Sequence, residues 1–235
     1  MGKVFVKHKD IVVPGELMAE GMDYVPASGT FREGEKIYAN ILGVAHLDGR
    51  VLKVVPVSGA YIPKVGDVVI GQIVDVMMSG WRIDFDSAYS GVLSVKDGTT
   101  SFIPRGADLT KYYDIGDYVV CKIINITSQK LVDLTMRGPG LRKIQGGTII
   151  KVNHTKVPRI IGKGGSMINM IKELSGCKVT IGQNGFVWIS GEPERELLVI
   201  TTIRKIEEEA LSSGLTERIK EFMEKSIKEL ESKQE

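Results

Sequence analysis

Cysteine and histidine are scarce in this chain, and each scarcity excludes something. Two cysteines, Cys121 and Cys177, lie far apart in 235 residues, with no C-x-x-C pair. That excludes a disulfide framework and a zinc ribbon, and leaves two thiols expected in the core. The three histidines, His8, His46 and His154, are scattered, so neither a metal site nor a cofactor is expected. No apolar run reaches about 18 residues, which excludes a membrane-spanning helix. The first residues, Met1-Gly2-Lys3-Val4-Phe5, lack the apolar core of a signal peptide, and a cytoplasmic protein is expected. Charge is nearly balanced: the net value is +2, with 26% charged and 43% hydrophobic residues, a profile of a globular protein.

Glycine is plentiful, and its placement is informative. The stretch Pro158-Arg159-Ile160-Ile161-Gly162-Lys163-Gly164-Gly165-Ser166 sets a Gly-x-x-Gly turn between an apolar pair and an apolar helix pattern. Glycines let main chain approach a phosphate with no side chain in the way. The helix that follows presents unpaired N–H groups at its start, and Lys163 adds a cation. Three readings compete. One is a ligand-free turn. A nucleotide-binding loop of the G-x-x-x-x-G-K-[ST] kind fails on order, because Gly164-Gly165 follow Lys163 and Pro158 stands where a strand would be needed. The third is a KH loop, which clamps a single-stranded backbone. Charge favours it. From Leu134 to Lys172 there are eight basic residues and no acidic one, so a local +8 coincides with the loop and the rest of the chain is net acidic.

Periodicity divides the chain into modules. Residues 1–62 read as a small β-rich domain, with strands at Val4–Val6, Ile11–Val13, Gly29–Phe31, Ile37–Ile41 and Val51–Val57. A type I′ hairpin turn is expected at Asp48-Gly49. Residues 63–137 hold five strands, enough for an OB-type barrel that binds single strands across one face. There, alternation puts Trp81, Ile83 and Phe85 in the core and Arg82 outside. Tyr89 is expected at the surface, and Arg105 lies in a long loop. After a Gly/Pro linker, residues 144–211 run β-α-loop-α-β-β-α. Met167, Ile168, Ile171 and Leu174 form one helix stripe, and Leu197, Ile200, Ile203, Ile206 and Ala210 another. The β-strands near 178–181 and 186–189 are joined through Gly182-Gln183-Asn184-Gly185, read as a turn. Residues 214–235 read as a final helix, expected to pack on the preceding domain.

The second module resembles an S1 RNA-binding domain through Val65-Gly66-Asp67-Val68-Val69-Ile70-Gly71, Gly80-Trp81-Arg82-Ile83-Asp84, Gly91-Val92-Leu93-Ser94-Val95 and Ile115-Gly116-Asp117. It departs where S1 domains often carry an exposed aromatic, here Arg82, and a histidine, here Ser94. The third resembles a type I KH domain through Ile160-Ile161-Gly162-Lys163-Gly164-Gly165. The order β domain, S1, KH, helix is similar to the S1/KH type of RNA-binding cap subunit of the archaeal exosome. Val13-Pro14-Gly15-Glu16, Gly29-Thr30-Phe31 and Tyr61-Ile62-Pro63-Lys64 add to the likeness. The resemblance implies a non-catalytic subunit. Three copies would sit on a hexameric ring of phosphorolytic ribonuclease subunits, dock through their first domains, and feed in single-stranded RNA. The RNA contacts expected are Arg159, Ile160, Ile161, Gly162, Lys163, Gly164 and Gly165 of the loop, Lys151 and Lys156 beside it, and Arg82, Tyr89 and Arg105 of the barrel. Two other classes stay open. A phosphorolytic enzyme fragment would need catalytic groups that the sequence does not display. A NusA-like transcription factor would carry a second KH domain.

Overall fold

The computed structural model describes residues 2–99, 101, 103–104, 106–210 and 214–232, and these form two compact units that part between Gly59 and Ala60. Unit one has eight strands: β1 (Lys3–Val4), β2 (Ile11–Val12), β3 (Leu17–Glu20), β4 (Val25–Pro26), β5 (Thr30–Glu33), β6 (Lys36–Ala39), β7 (Gly43–Asp48) and β8 (Val51–Pro56). They make two four-stranded sheets, ordered β1-β3-β6-β5 and β2-β7-β8-β4. Met18 and Ile37 of the first and Ala45, Leu52 and Val54 of the second share one core. Strands β3, β4 and β7 were not read from the sequence: β3 and β4 have only four and two residues, too few to carry a strand signal, and β7 has six, with Gly43, Ala45 and His46 among them rather than a run of β-branched residues. The hairpin turn also differs. Asp48 pairs with Val51, so Gly49 and Arg50 are the two loop residues. Gly49, at φ +58, supplies the positive φ, which is the Gly-first pattern of a II′ turn rather than I′.

Unit two begins with a barrel. Its strands are β9 (Val68–Met77), β10 (Gly80–Asp84), β11 (Gly91–Ser94), β12 (Tyr118–Ile126) and β13 (Val132–Thr135), with α1 (Val95–Gly98) after β11. Antiparallel ladders run β11-β10-β9-β12-β13, and β11 meets β13 in parallel, which closes the ring. Closure removes both sheet edges. Trp81, Ile83 and Phe85 are fully buried, as alternation requires, and the Trp81 indole N–H donates to Tyr113 O at 2.9 Å. Tyr61 belongs to this core too, and its hydroxyl donates to Asp67 at 2.6 Å.

The linker returns as β14 (Arg142–Lys143), which pairs with Val119 and Val120 of β12. Next come β15 (Thr148–Lys151), α2 (Val157–Ile161), α3 (Ser166–Ser175), β16 (Lys178–Ile181), β17 (Phe186–Ser190) and α4 (Pro193–Glu208). The sheet order is β15-β17-β16, and both ladders are antiparallel. One sheet face packs Val179, Val187 and Ile189 against α2, α3 and α4. In α4 the buried residues are Leu198, Val199, Thr202, Ile203 and Ile206, while Leu197 is 64% exposed. The expected stripe started one residue early, because steps of three lag the 3.6-residue turn. Helix α5 (Leu215–Glu231) seats Leu215, Ile219 and Met223 on this same core.

The other sheet face is apolar as well. Ile149, Phe186 and Trp188 meet Val68, Ile70, Tyr118 and Val120 of the barrel and Leu141 and Ile144 of the linker. Asn184 fastens the joint. Its side chain accepts from Ile70 N at 3.2 Å and donates to Ile70 O at 2.7 Å and Phe85 O at 2.8 Å. The Gln183 amide adds a bond to Val68 O at 2.8 Å. The Gly182–Gly185 segment is therefore more than a turn: it binds the barrel to the α+β domain. None of the helices among the described residues is long and apolar enough to cross a membrane.

Candidate nucleic-acid interface

The glycine loop is fixed from both sides. Pro158 opens α2, where a missing N–H costs nothing. Val157 and Ile160 are fully buried with Met167 and Ile171, so the short helix cannot roll. Gly162 then ends α2 at φ +76, and a Cβ there would stand 2.7 Å from Met167 N. Only glycine fits that position. Gly164 and Gly165, at φ +61 and +83, turn the chain into α3, and a Cβ on Gly164 would meet open space. The Gly162 amide donates to Pro158 O and that of Gly165 to Gly162 O. Those of exposed Lys163 and Gly164 make no backbone bond among the described residues. The loop thus offers an exposed cation and two amides.

Two hollows flank the loop. The larger, of about 620 Å³, has Ile161, Ile168 and Lys172 on the helix side and Lys178, Thr180 and Ile181 of β16 beside them. Strand β16 is the sheet edge, so its outer main-chain groups are not used by the sheet. The smaller, of about 460 Å³, lies between Arg159 and Lys163 and the first turn of α5, with Glu217 in its wall. The larger one is apolar at its base and has lysines and no carboxylate in its lining; the smaller one mixes signs.

The residues expected at the interface divide in this structure. Arg159, Lys163 and Gly164 are exposed, and Ile161 is half-buried at the groove. Ile160 is fully buried and anchors the loop; no base can reach it. Lys156 is half-buried at the end of a 3-10 turn before α2. Lys151 is not a free cation: its Nζ sits 2.6 Å from Asp86 of the barrel. Arg82 faces Asp75 across the β10–β9 ladder, 3.8 Å away. Tyr89 is half-buried against the barrel core rather than exposed. Arg105 lies outside the described residues.

Lys178, Thr180, Lys172 and Ile168 were not named as contacts from the sequence. The signal was present: Lys172 follows Ile168 by one helical turn, on the face beside the loop. Among the described residues no group of three or more His, Cys, Asp or Glu is placed to hold a metal. Cys121 is enclosed, and burial pushes its thiol up to about 12, far from a reactive thiolate. At the joint, His154 packs its ring on Tyr61, with centroids 5.8 Å apart. Burial, and then the Lys64 charge, hold its pKa below the usual histidine value against a smaller opposing pull from Asp86. Asp117 is opposed by burial, but the ammonium of Lys143 and the Asp114 amide outweigh that and lower its pKa.

Comparison with known proteins agrees with this layout. Residues 9–58 match the exosome RNA binding protein RRP4 N-terminal domain, residues 60–102 the RRP4 S1 domain, and residues 147–208 the KH domain. Exosome complex component Rrp4 of Pyrococcus furiosus is 44% identical over 99% of this chain and 89% of its own length. The chain belongs to the Rrp4 family. The Rrp4 of Thermococcus kodakarensis is likewise 44% identical, over 98% of this chain and 91% of its own. A crystal structure assigned to an exosome complex RNA-binding protein superposes with a TM-score of 0.64 at 35% identity, covering 72% of this chain and 98% of that one. The Rrp4 family accounts for the module order: an N-terminal β domain, a closed five-stranded S1 barrel, a KH domain and a C-terminal helix.

Proposed function

We propose that this chain is the RNA-binding cap subunit of an exosome, one that holds single-stranded RNA for a phosphorolytic ribonuclease ring and does not cleave it. The observation that carries the reading is the exposed Gly162–Gly165 loop beside an acid-free, lysine-lined groove, in a chain of the Rrp4 family. Phosphate contacts give affinity without sequence information, which suits a subunit that must let RNA slide. Arg159, Lys156 and Lys163 meet phosphates, Gly162, Gly164 and Gly165 let the backbone come close, and Ile161 lies against bases. Unit one docks on the ring. Ile11, Met22 and Val25 are more than half exposed there, an apolar surface suited to a protein partner. Three copies on a hexameric ring, in the cytoplasm, complete the reading, with catalysis left to the ring subunits.

Affinity purification with mass spectrometry tests it: ring ribonuclease subunits are expected to co-purify. Deleting residues 1–59 should abolish that association and leave RNA binding in place. Phosphate-dependent RNA degradation by the purified chain, or recovery with RNA polymerase and no ribonuclease ring, would refute the assignment.

A further inference from the structure

We propose that the linker between barrel and KH domain is itself part of the RNA-binding surface, with Arg142 as its phosphate contact. This rests on the reading of the KH groove given above. The segment Gly182–Gly185 that joins β16 to β17 cannot wall that groove, because Asn184 and Gln183 hold it against Val68, Ile70 and Phe85. Pro139, Gly140, Leu141 and Arg142, with Val68 and Val120 behind them, line the hollow instead. The RNA site is therefore built by three regions of the chain, and one of its walls lies outside the KH fold.

Arg142 is held for this task. Its backbone pairs with Val120 of β12, and its guanidinium lies over the Trp188 ring, 4.9 Å from the centroid. Trp188 is itself fixed, being 4% exposed with its indole N–H donating to Gly146 O at 2.7 Å. Contact between a guanidinium and an aromatic face is attractive and limits where the charged group can go. The side chain is exposed and makes no ion pair among the described residues. Its neighbour Lys143 points its charge elsewhere, at Asp117. A planar, preorganised donor fork beside a groove with Lys172 and Lys178 is suited to a phosphate oxygen pair. A strand lying along β16 would then be held from the helix side by lysines and from the linker side by Arg142.

Fluorescence anisotropy with a labelled oligouridylate and the full chain tests this across a salt series. Arg142→Gln is expected to weaken binding several-fold and to flatten the log–log salt dependence by about 0.7, one single-strand phosphate contact. Arg142→Lys should keep the slope and lose part of the affinity. Arg204→Gln, on α4, is the control and should match wild type. Wild-type affinity and slope for Arg142→Gln, with binding still lost when Lys163 and Gly164 become Asp, would overturn the linker site and leave the KH reading standing. If neither variant changes binding, the KH reading fails as well. Weaker binding with an unchanged slope and a lowered melting temperature would assign Arg142 a structural role and also overturn the proposal.

Discussion

The barrel and the KH domain sit side by side in one compact unit, yet their charges are arranged differently. Residues 60–137 carry eight Lys and Arg against nine Asp and no Glu. Residues 138–182 carry eight Lys and Arg against the single acid Glu173. In the barrel, Arg82 is met by Asp75 across the ladder, and Asp86 draws in Lys151. In the KH domain Arg159, Lys163, Lys172 and Lys178 make no ion pair among the described residues, and the carboxylates collect on α4. A cation already matched by a carboxylate has less to gain from a phosphate. On the balance of charge over the two segments we propose that the barrel is the scaffold and the KH domain the grip.

The sharpest way to break that division is to cut the joint. Asn184→Ala removes three hydrogen bonds and leaves the Ile70 amide and two buried carbonyls without partners, so a loss of about 3 kcal/mol or more is expected in urea unfolding. Next comes the grip. Asp at both Lys163 and Gly164 reverses a charge and adds another where a side chain has open space. RNA affinity should fall about tenfold or more at moderate salt for every sequence tested, with the melting temperature nearly unchanged. Gly162→Ala should cost about 1–3 kcal/mol by strain and contact with Met167, and loosen RNA binding through the loop's shape. Arg82→Gln, in the scaffold, should change RNA affinity by less than about twofold.

The smallest effect is a pH dependence. The folded-state pKa of His154 lies below its unfolded value of 6.5, so neutral His154 favours the fold. That stability is fully present above pH 6.5 and is lost as pH falls toward the folded pKa. Wild type should lose stability as pH falls below 6.5, and His154→Gln should lose less over the same range. His46 in unit one, lowered chiefly by burial, accounts for part of what remains. Equal slopes for the two proteins would show that His154 titrates alike in both states.

Much of the fold was legible in the sequence, the relative weight of the two RNA-binding modules was not, and the gaps have physical causes. Five strands with Trp81, Ile83 and Phe85 inward were readable because alternation has a period of two. The Gly-x-x-Gly loop was readable because glycine is required at φ +76 beside Met167. The joint was missed, although Phe186-Val187-Trp188-Ile189 is a continuous apolar run. Such a run marks a strand covered on both faces, and the second cover is the barrel. Asn184-Gly185 looked like a turn because a pattern of two residues cannot distinguish an exposed Asn from one with every side-chain bond made to another domain. Lys151 and Arg82 looked free because their carboxylates, Asp86 and Asp75, come from other strands. Ile160 and Ile161 are adjacent and alike, but a helical step of about 100° buries the first and leaves the second at the groove.

Amide hydrogen exchange of the full chain, with and without single-stranded RNA, tests the scaffold-and-grip division most directly. Protection is expected across residues 159–181, strongest at Lys163 and Gly164, whose amides make no backbone bond among the described residues, with little change in β10 and β11. Protection centred on residues 80–94, with the glycine loop exchanging as fast as before, would contradict it.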